Sequence, residues 1–294
     1  MKGMTAMFIK DILNAKPVTF SCELFPPKVG TELEKADLVV ERTAALKPDF
    51  ISVTCGANGG NTQNVLRMAK HANACGSVGL AHLTCVSANR QGIAQRIEEM
   101  KACGISNVLA LRGDLPEGME KPEDACFQHA NELVELLGQS GGFSVGGACY
   151  PECHPESASQ AEDILNLKRK VEAGCDFLTT QMFFDNDLLY RFLNKLNKAG
   201  VDVPVIAGIM PVTSGRQVAR ITGLSGALMP PRFRNMLDHY GSDDAAMEQA
   251  GIAYACEQIA DLVANGIRGI HIYTMNKPET AGKILGNLSS VLMR

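Results

Sequence analysis

Tryptophan is missing from all 294 residues, and phenylalanine and tyrosine together hold the aromatic share at 5%. No amino-acid side chain absorbs visible light, so any visible absorbance of the purified chain comes from a bound chromophore. Neither sign of charge dominates, since 28 Lys and Arg stand against 32 Asp and Glu for a formal charge of −4. That leaves no cationic surplus to hold a nucleic-acid backbone. No run of eighteen apolar residues occurs, and Lys10 and Asp11 interrupt the N-terminal apolar stretch; neither a membrane span nor a targeting segment is expected, and the expected location is the cytoplasm. The ten cysteines contain no CxxC pair, which reads as reduced, mostly buried thiols rather than a disulfide framework. Both GxGxxG and GxxxxGK[ST] are lacking, so a nucleotide would have to be held by another design. What is present is the balance of a globular protein, 46% hydrophobic and 20% charged, in a length that one α/β barrel can fill.

Short apolar runs alternate with longer amphipathic stretches. Strands are predicted at 17–23, 50–54, 78–84, 107–112, 143–149, 176–181, 203–208 and 269–273. Helical patterns lie near 31–46, 61–75, 89–103, 122–139, 156–173, 185–199, 214–222 and 243–265, with a last helix at 277–292. Eight strand–helix units predict a single-domain (β/α)8 TIM barrel spanning residues 1–294, with extra helices before strand 1 and before strand 8. A doubly wound open sheet is the structural alternative. The GSDDA segment near 241–245 reads as a helix N-cap with an acidic first turn.

Barrels of this class place their chemistry at the C-terminal strand ends, and seven of the eight ends carry titratable or amide groups. Glu23 closes an apolar strand, where partial desolvation would raise its pKa and suit a general acid; the alternative is an ion pair with a residue such as Lys28. Arg112-Gly113-Asp114 offers a backbone shaped for close ligand approach, although Arg112 and Asp114 could simply pair with each other. His82, alone in an apolar strand, is by itself more often a satisfied interior residue than a ligand. Cys149, Cys153 and His154 match no common tetrahedral pattern, and no metal is expected. On the helix after strand five, Asp163, Asn166 and Lys170 fall within about 60° of one face, with Arg169 further round; a solvated face is the plain alternative. A Schiff-base lyase would need a lysine at a strand end, and only Lys277, beyond strand eight, comes near.

Nine segments taken in order carry a specific resemblance: ELFPPK (23–28), SVTCGANGG (52–60), AHLTC (81–85), LALRGDLP (109–116), YPECHPE (150–156), DILNLKRKVEAG (163–174), TTQMFFD (179–185), GIMPVT (208–213) and IHIYTMNKPE (270–279). From about residue 17 to 292 the chain resembles the methylenetetrahydrofolate reductases, in the short bacterial form without a regulatory domain. The resemblance implies an FAD-binding barrel that is reduced by NAD(P)H and reoxidised by 5,10-methylenetetrahydrofolate in a ping-pong cycle giving 5-methyltetrahydrofolate. It makes Glu23 the general acid, places Asp114 near the flavin and pterin, and gives Gln181 contacts with folate and nicotinamide in turn, with Gln217 and Lys277 as weaker folate contacts. It assigns FAD to Thr54, Cys55, Ala57, His82, Arg112, Gly113, Asp114, Tyr150, His154, Ser157, Asp163, Asn166, Arg169 and Lys170. On that assignment Asp163 and Asn166 would meet ribityl and ribose hydroxyls while Arg169 and Lys170 hold the pyrophosphate. It also implies a homo-oligomer. Three positions depart from the family pattern: Cys55 replaces an aromatic residue, Lys277 an arginine, and Ile221 a phenylalanine. These departures leave a second reading, a flavin- or pterin-binding subunit active only in a larger electron-transfer complex, with a partner subunit as electron donor.

Overall fold

The computed structural model describes residues 7–27, 33–55, 62–115, 118, 125–218 and 226–292. Eight parallel strands close into a barrel in sequence order: β1 (Thr19–Leu24), β2 (Phe50–Val53), β3 (Val78–Thr84), β4 (Asn107–Leu111), β5 (Ser144–Cys149), β6 (Phe177–Thr180), β7 (Val205–Ile209) and β8 (Gly269–Tyr273). The ring shuts where β1 pairs with β8, Ser21 beside His271 and Glu23 beside Tyr273. The open-sheet alternative is thereby excluded. Around the ring lie α2 (Leu33–Ala44), α3 (Thr62–Ala74), α4 (Arg90–Ala102), α5 (Ala130–Ser140), α6 (Gln160–Glu172) and α7 (Asn186–Lys198), then α8 (Pro231–Tyr240), α9 (Asp244–Ala264) and α10 (Pro278–Leu292). None is long and apolar enough to cross a membrane among the described residues.

Alternation on the strands sets which side chains fill the barrel. Residues between barrel and helices, such as Cys22, Ile51, Val53, Ile270 and Ile272, belong to the main core, whereas Phe50, Leu80, Leu109, Phe177 and Ile206 form a separate apolar layer inside the ring. Space there is tight: a Cβ on Gly146 would come within 2.4 Å of the Phe177 ring. The N-terminal end is plugged by α1 (Ile9–Ala15), whose Ile9 and Leu13 join that layer. Above the apolar layer the interior turns polar, and this is where the chemistry-bearing residues collect.

Several elements differ from the sequence expectation; α6, for one, begins at Gln160 after its N-cap Ser159 and not at 156. Helix α5 begins at Ala130, with 125–129 non-helical, because the Glu132 carboxylate accepts the backbone N–H of Gln128 and of His129 (3.0 and 2.9 Å), leaving His129 extended at the helix entrance; the expected start near 122 lies outside the described residues. Helix α8 had no predicted counterpart, although Pro231 at its first turn is a favoured helix start. The GSDDA reading is met: the Asp243 side chain accepts from Ala245 N–H and Ala246 N–H at 2.9 and 3.1 Å. Of the ten thiols, Cys22, Cys85, Cys149 and Cys175 are buried and Cys126 is exposed, so fewer are fully enclosed than expected.

Candidate active site

Glu23 lies on β1 with its side chain one-fifth exposed, at the level where the barrel interior becomes polar. Its Oε2 stands 3.7 Å from His82 Nε2 and 3.6 Å from His271 Nε2, both imidazoles being buried. Each ring is fixed by a serine from the neighbouring strand: Ser52 Oγ is 2.5 Å from His82 Nε2, and Ser21 Oγ is 2.8 Å from His271 Nδ1. Burial lowers the pKa of His82 to about 4, outweighing the nearby Glu23 carboxylate, so this ring is neutral at neutral pH. The Tyr273 hydroxyl donates to Thr180 O at 2.6 Å, and desolvation with Glu23 close by pushes its pKa far up. Gly208 makes that crossing possible, because a Cβ there would sit 2.6 Å from the Tyr273 hydroxyl.

A second group gathers where β4, β5 and α6 meet. Arg112 grips the Glu156 carboxylate with both terminal nitrogens and lies 3.8 Å from Asp114, whose side chain is 84% exposed. Gly113 takes a left-handed φ of 81° beside Thr84, and a Cβ would approach Thr84 Cβ to 2.9 Å. Tyr150 packs edge-on against His154 with ring centres 4.8 Å apart, and its hydroxyl bonds the Gln181 side chain. Buried Asp163 accepts the His154 backbone N–H at 3.0 Å and bonds Ser157, and desolvation raises its pKa. Lys170 threads between helix and strand, where Gly147 lacks the Cβ that would block it, and donates to Ala148 O at 2.7 Å. Burial lowers its pKa. Asn166 and Arg169 stand on the exposed edge of the same helix and bond each other at 3.0 Å.

The predicted residues thus fall into two neighbourhoods joined through Tyr150 and Tyr273, whose hydroxyls sense one another electrostatically. His82 lies buried beside Glu23 and bonds Ser52. Thr54 continues the β1 ladder by donating its N–H to Leu24 O (2.9 Å), and the Cys55 thiol accepts from Thr84 Oγ1 at 3.9 Å. Gln181 lies beyond β6, its Oε1 accepting Met182 N–H at 2.9 Å. Lys277 reaches Thr213 Oγ1 at 3.5 Å, near the helical turn 215–218 that carries Gln217. Ala57, Ile221 and the alternative Glu23 partner Lys28 lie outside the described residues. Sequence reasoning gave no role to His271, Ser21 or Ser52. The signal was available in GIHIY: with Ile270 and Ile272 outward, His271 must point inward beside Tyr273.

The family model for methylenetetrahydrofolate reductase matches residues 8–289. The 5,10-methylenetetrahydrofolate reductase of Pectobacterium carotovorum is 33% identical over 274 residues, covering 92% of this chain and 90% of that protein. The enzyme of the same name from Escherichia coli K12 is 34% identical over the same spans. Among solved structures, a Clostridium thermocellum protein that binds two copies of 5-methyl-5,6,7,8-tetrahydrofolic acid superposes with a TM-score of 0.65, covering 96% of this chain and 98% of its own; its 15% identity speaks for the fold alone.

Proposed function

The chain belongs to the methylenetetrahydrofolate reductase family, and from that premise we propose that it reduces 5,10-methylenetetrahydrofolate to 5-methyltetrahydrofolate, with NAD(P)H as donor and FAD held at the barrel mouth in a ping-pong cycle. The observation that carries the reading is Glu23, a partly exposed carboxyl on a buried floor of two histidines. The net reaction needs one hydride and one proton. FAD, when bound, supplies the two-electron carrier between nucleotide and folate. Glu23 supplies the proton, to the amine nitrogen that leaves as the imidazolidine ring opens; the resulting iminium carbon then accepts hydride as the methyl group forms.

The residues present fit an FAD. Arg169 and Lys170 would hold the diphosphate, Asp163 and Asn166 offer partners for hydroxyls, and Arg112 and Gly113 would line the cofactor from the loop after β4. Thr54, Cys55, Ala57, His82, Tyr150, His154 and Ser157 complete the proposed contacts, with the Lys170 charge buried against Ala148 O. Residues 1–294 then form one FAD-binding barrel. Asp114, exposed beside Arg112, places negative charge where it stabilises the iminium, while Gln181, Gln217 and Lys277 hold folate. Departure of Cys55 and Lys277 from the family pattern affects affinity more than reaction type, since a lysine cannot give the bidentate contact of an arginine.

Glu23→Gln tests the assignment. Flavin retention and reduction by NADH should stay near wild type, while reoxidation by methylenetetrahydrofolate should fall at least a hundredfold in stopped flow; unchanged reoxidation removes Glu23 as the acid. Retained FAD that neither NADH nor NADPH reduces would instead favour a partner protein as donor.

A further inference from the structure

Two carboxylates compete for one guanidinium at the rim between β4 and β5. Arg112 gives both terminal nitrogens to Glu156, with Nη2 at 2.6 Å from Oε1, and turns its Nε–H back to Gly113 O at 3.2 Å. That commits all three of its nitrogens. Asp114 Oδ1 is left with a lateral approach to Nη2 at 3.8 Å, beyond hydrogen-bond reach. Glu156 is placed by the loop after β5: its own N–H donates to His154 Nδ1 at 3.2 Å, Ser157 N–H donates to His154 O at 2.9 Å, and buried Asp163 accepts the His154 N–H at 3.0 Å. Hydrogen bonding to Arg112 holds the Glu156 carboxyl below the usual carboxylate range, so the pair is ionised at neutral pH. One cation facing two anions leaves one negative charge over, and the geometry leaves it on Asp114. Tyr150 senses the result. Burial first and the Asp114 charge second push its hydroxyl up, ahead of the opposing pull of Arg112, and that hydroxyl bonds Gln181 in the site.

We propose that Glu156 is a positioning residue: by holding Arg112 it keeps that cation from Asp114, so that the Asp114 carboxylate stays unpaired for the positive charge that develops on the substrate. The inference rests on the reading of Asp114 as the group that stabilises the iminium. Geometry decides which carboxylate wins. A guanidinium binds a carboxylate best through two parallel N–H···O bonds, and Glu156 meets Arg112 in that way from across the β4–β5 boundary. Asp114, two residues along the chain from Arg112 and joined to it through left-handed Gly113 at φ 81°, approaches one nitrogen only. The Arg112 side chain is 26% exposed against 84% for Asp114, so the guanidinium stays within the loops while Asp114 stands clear of them. Among the described residues no third carboxylate lies within 4 Å of Arg112. Removing Glu156 therefore hands the cation to Asp114.

Side-chain 15N NMR of the arginines in the full chain, free of folate and nucleotide, tests the clamp by itself. The Arg112 signals, assigned by their loss in Arg112→Lys, should move at least threefold less with Asp114→Asn than with Glu156→Gln. Once residue 156 is Gln, Asp114→Asn should move them strongly. Signals that answer mainly to Asp114→Asn in the wild-type background overturn the proposal. The half-reaction supplies the functional readout, through a double-mutant cycle on reoxidation by methylenetetrahydrofolate at saturating FAD. Glu156→Gln alone should slow reoxidation at least fivefold. Asp114→Asn should cost at least tenfold in the wild-type background and less than threefold beside Glu156→Gln, because Arg112 has already neutralised Asp114 there. Equal costs in the two backgrounds overturn the proposal and leave Glu156 as a staple between two loops. Glu156→Ala closes the same cycle if the glutamine variant folds poorly. If wild type itself is not reoxidised by this folate, the proposed function falls, while the NMR result still decides which carboxylate holds Arg112.

Discussion

A side chain's worth in this barrel depends on which glycine lies opposite it. Lys170 reaches Ala148 O only because Gly147 leaves the space that its own Cβ would occupy, 2.7 Å from Lys170 Cδ. Asp163, seven residues earlier on α6, is held by His154 and Ser157. The sequence showed that these two share a helix face, but not that one ammonium would be buried and the neighbouring Arg169 exposed, since that depends on a strand residue 22 positions away. Replacing Asp163 and Lys170 together by Ala should weaken FAD retention at least tenfold in equilibrium dialysis, with the far-ultraviolet spectrum preserved. Affinity unchanged from wild type would return that face to a structural role. Gly208→Ala tests the same principle on the floor: a Cβ cannot coexist with Thr180 O at 2.5 Å, so Tyr273 or the strand must shift, and the variant should lose roughly 1–3 kcal/mol of stability, read from urea unfolding.

Among elements, α1 does for the barrel bottom what the polar residues do for the top. Asn107, buried inside β4, accepts Ile9 N–H at 2.8 Å and donates to Met7 O at 3.0 Å, seating the plug over the apolar layer. Asn107→Ala strands the Ile9 N–H in a buried setting, which costs about 1–3 kcal/mol. Because the site lies at the opposite end of the strands, folate reduction in the folded variant should stay within about twofold of wild type; a larger loss would mean the two ends are coupled. The eight strands were readable because buried parallel strands are short apolar runs set between amphipathic helices. The start of α5 and the whole of α8 were not, since the first is decided by one Glu132 side chain folding back and the second is a ten-residue helix on which only Phe233 is buried. The N-cap at Asp243 was legible because capping is local, within three residues.

Taken as one folded body, the protein ties its stability to the protonation of its own floor. Burial takes His82 from an ordinary 6.5 to about 4, so the unfolded chain binds that proton more tightly than the native one. Stability is then fully present above pH 6.5 and declines as pH falls toward 4, where native protonation catches up. The effect is on the order of 3 kcal/mol, because each tenfold difference in proton affinity between the two states is worth about 1.4 kcal/mol. His154, lowered by burial in the same direction, adds to it. Asp163 and Glu152, raised by burial, act oppositely, taking up protons in the native state before the unfolded one does. Their influence grows toward the acid end, so the histidine slope is cleanest between pH 6.5 and 5. Urea midpoints measured across that interval should fall steadily for wild type, and His82→Gln, which keeps an amide to meet Ser52, should flatten the slope even if its absolute stability is lower. A wild-type midpoint that stays level from pH 6.5 to 5 would mean that His82 is hydrated in solution, and with it the floor beneath Glu23.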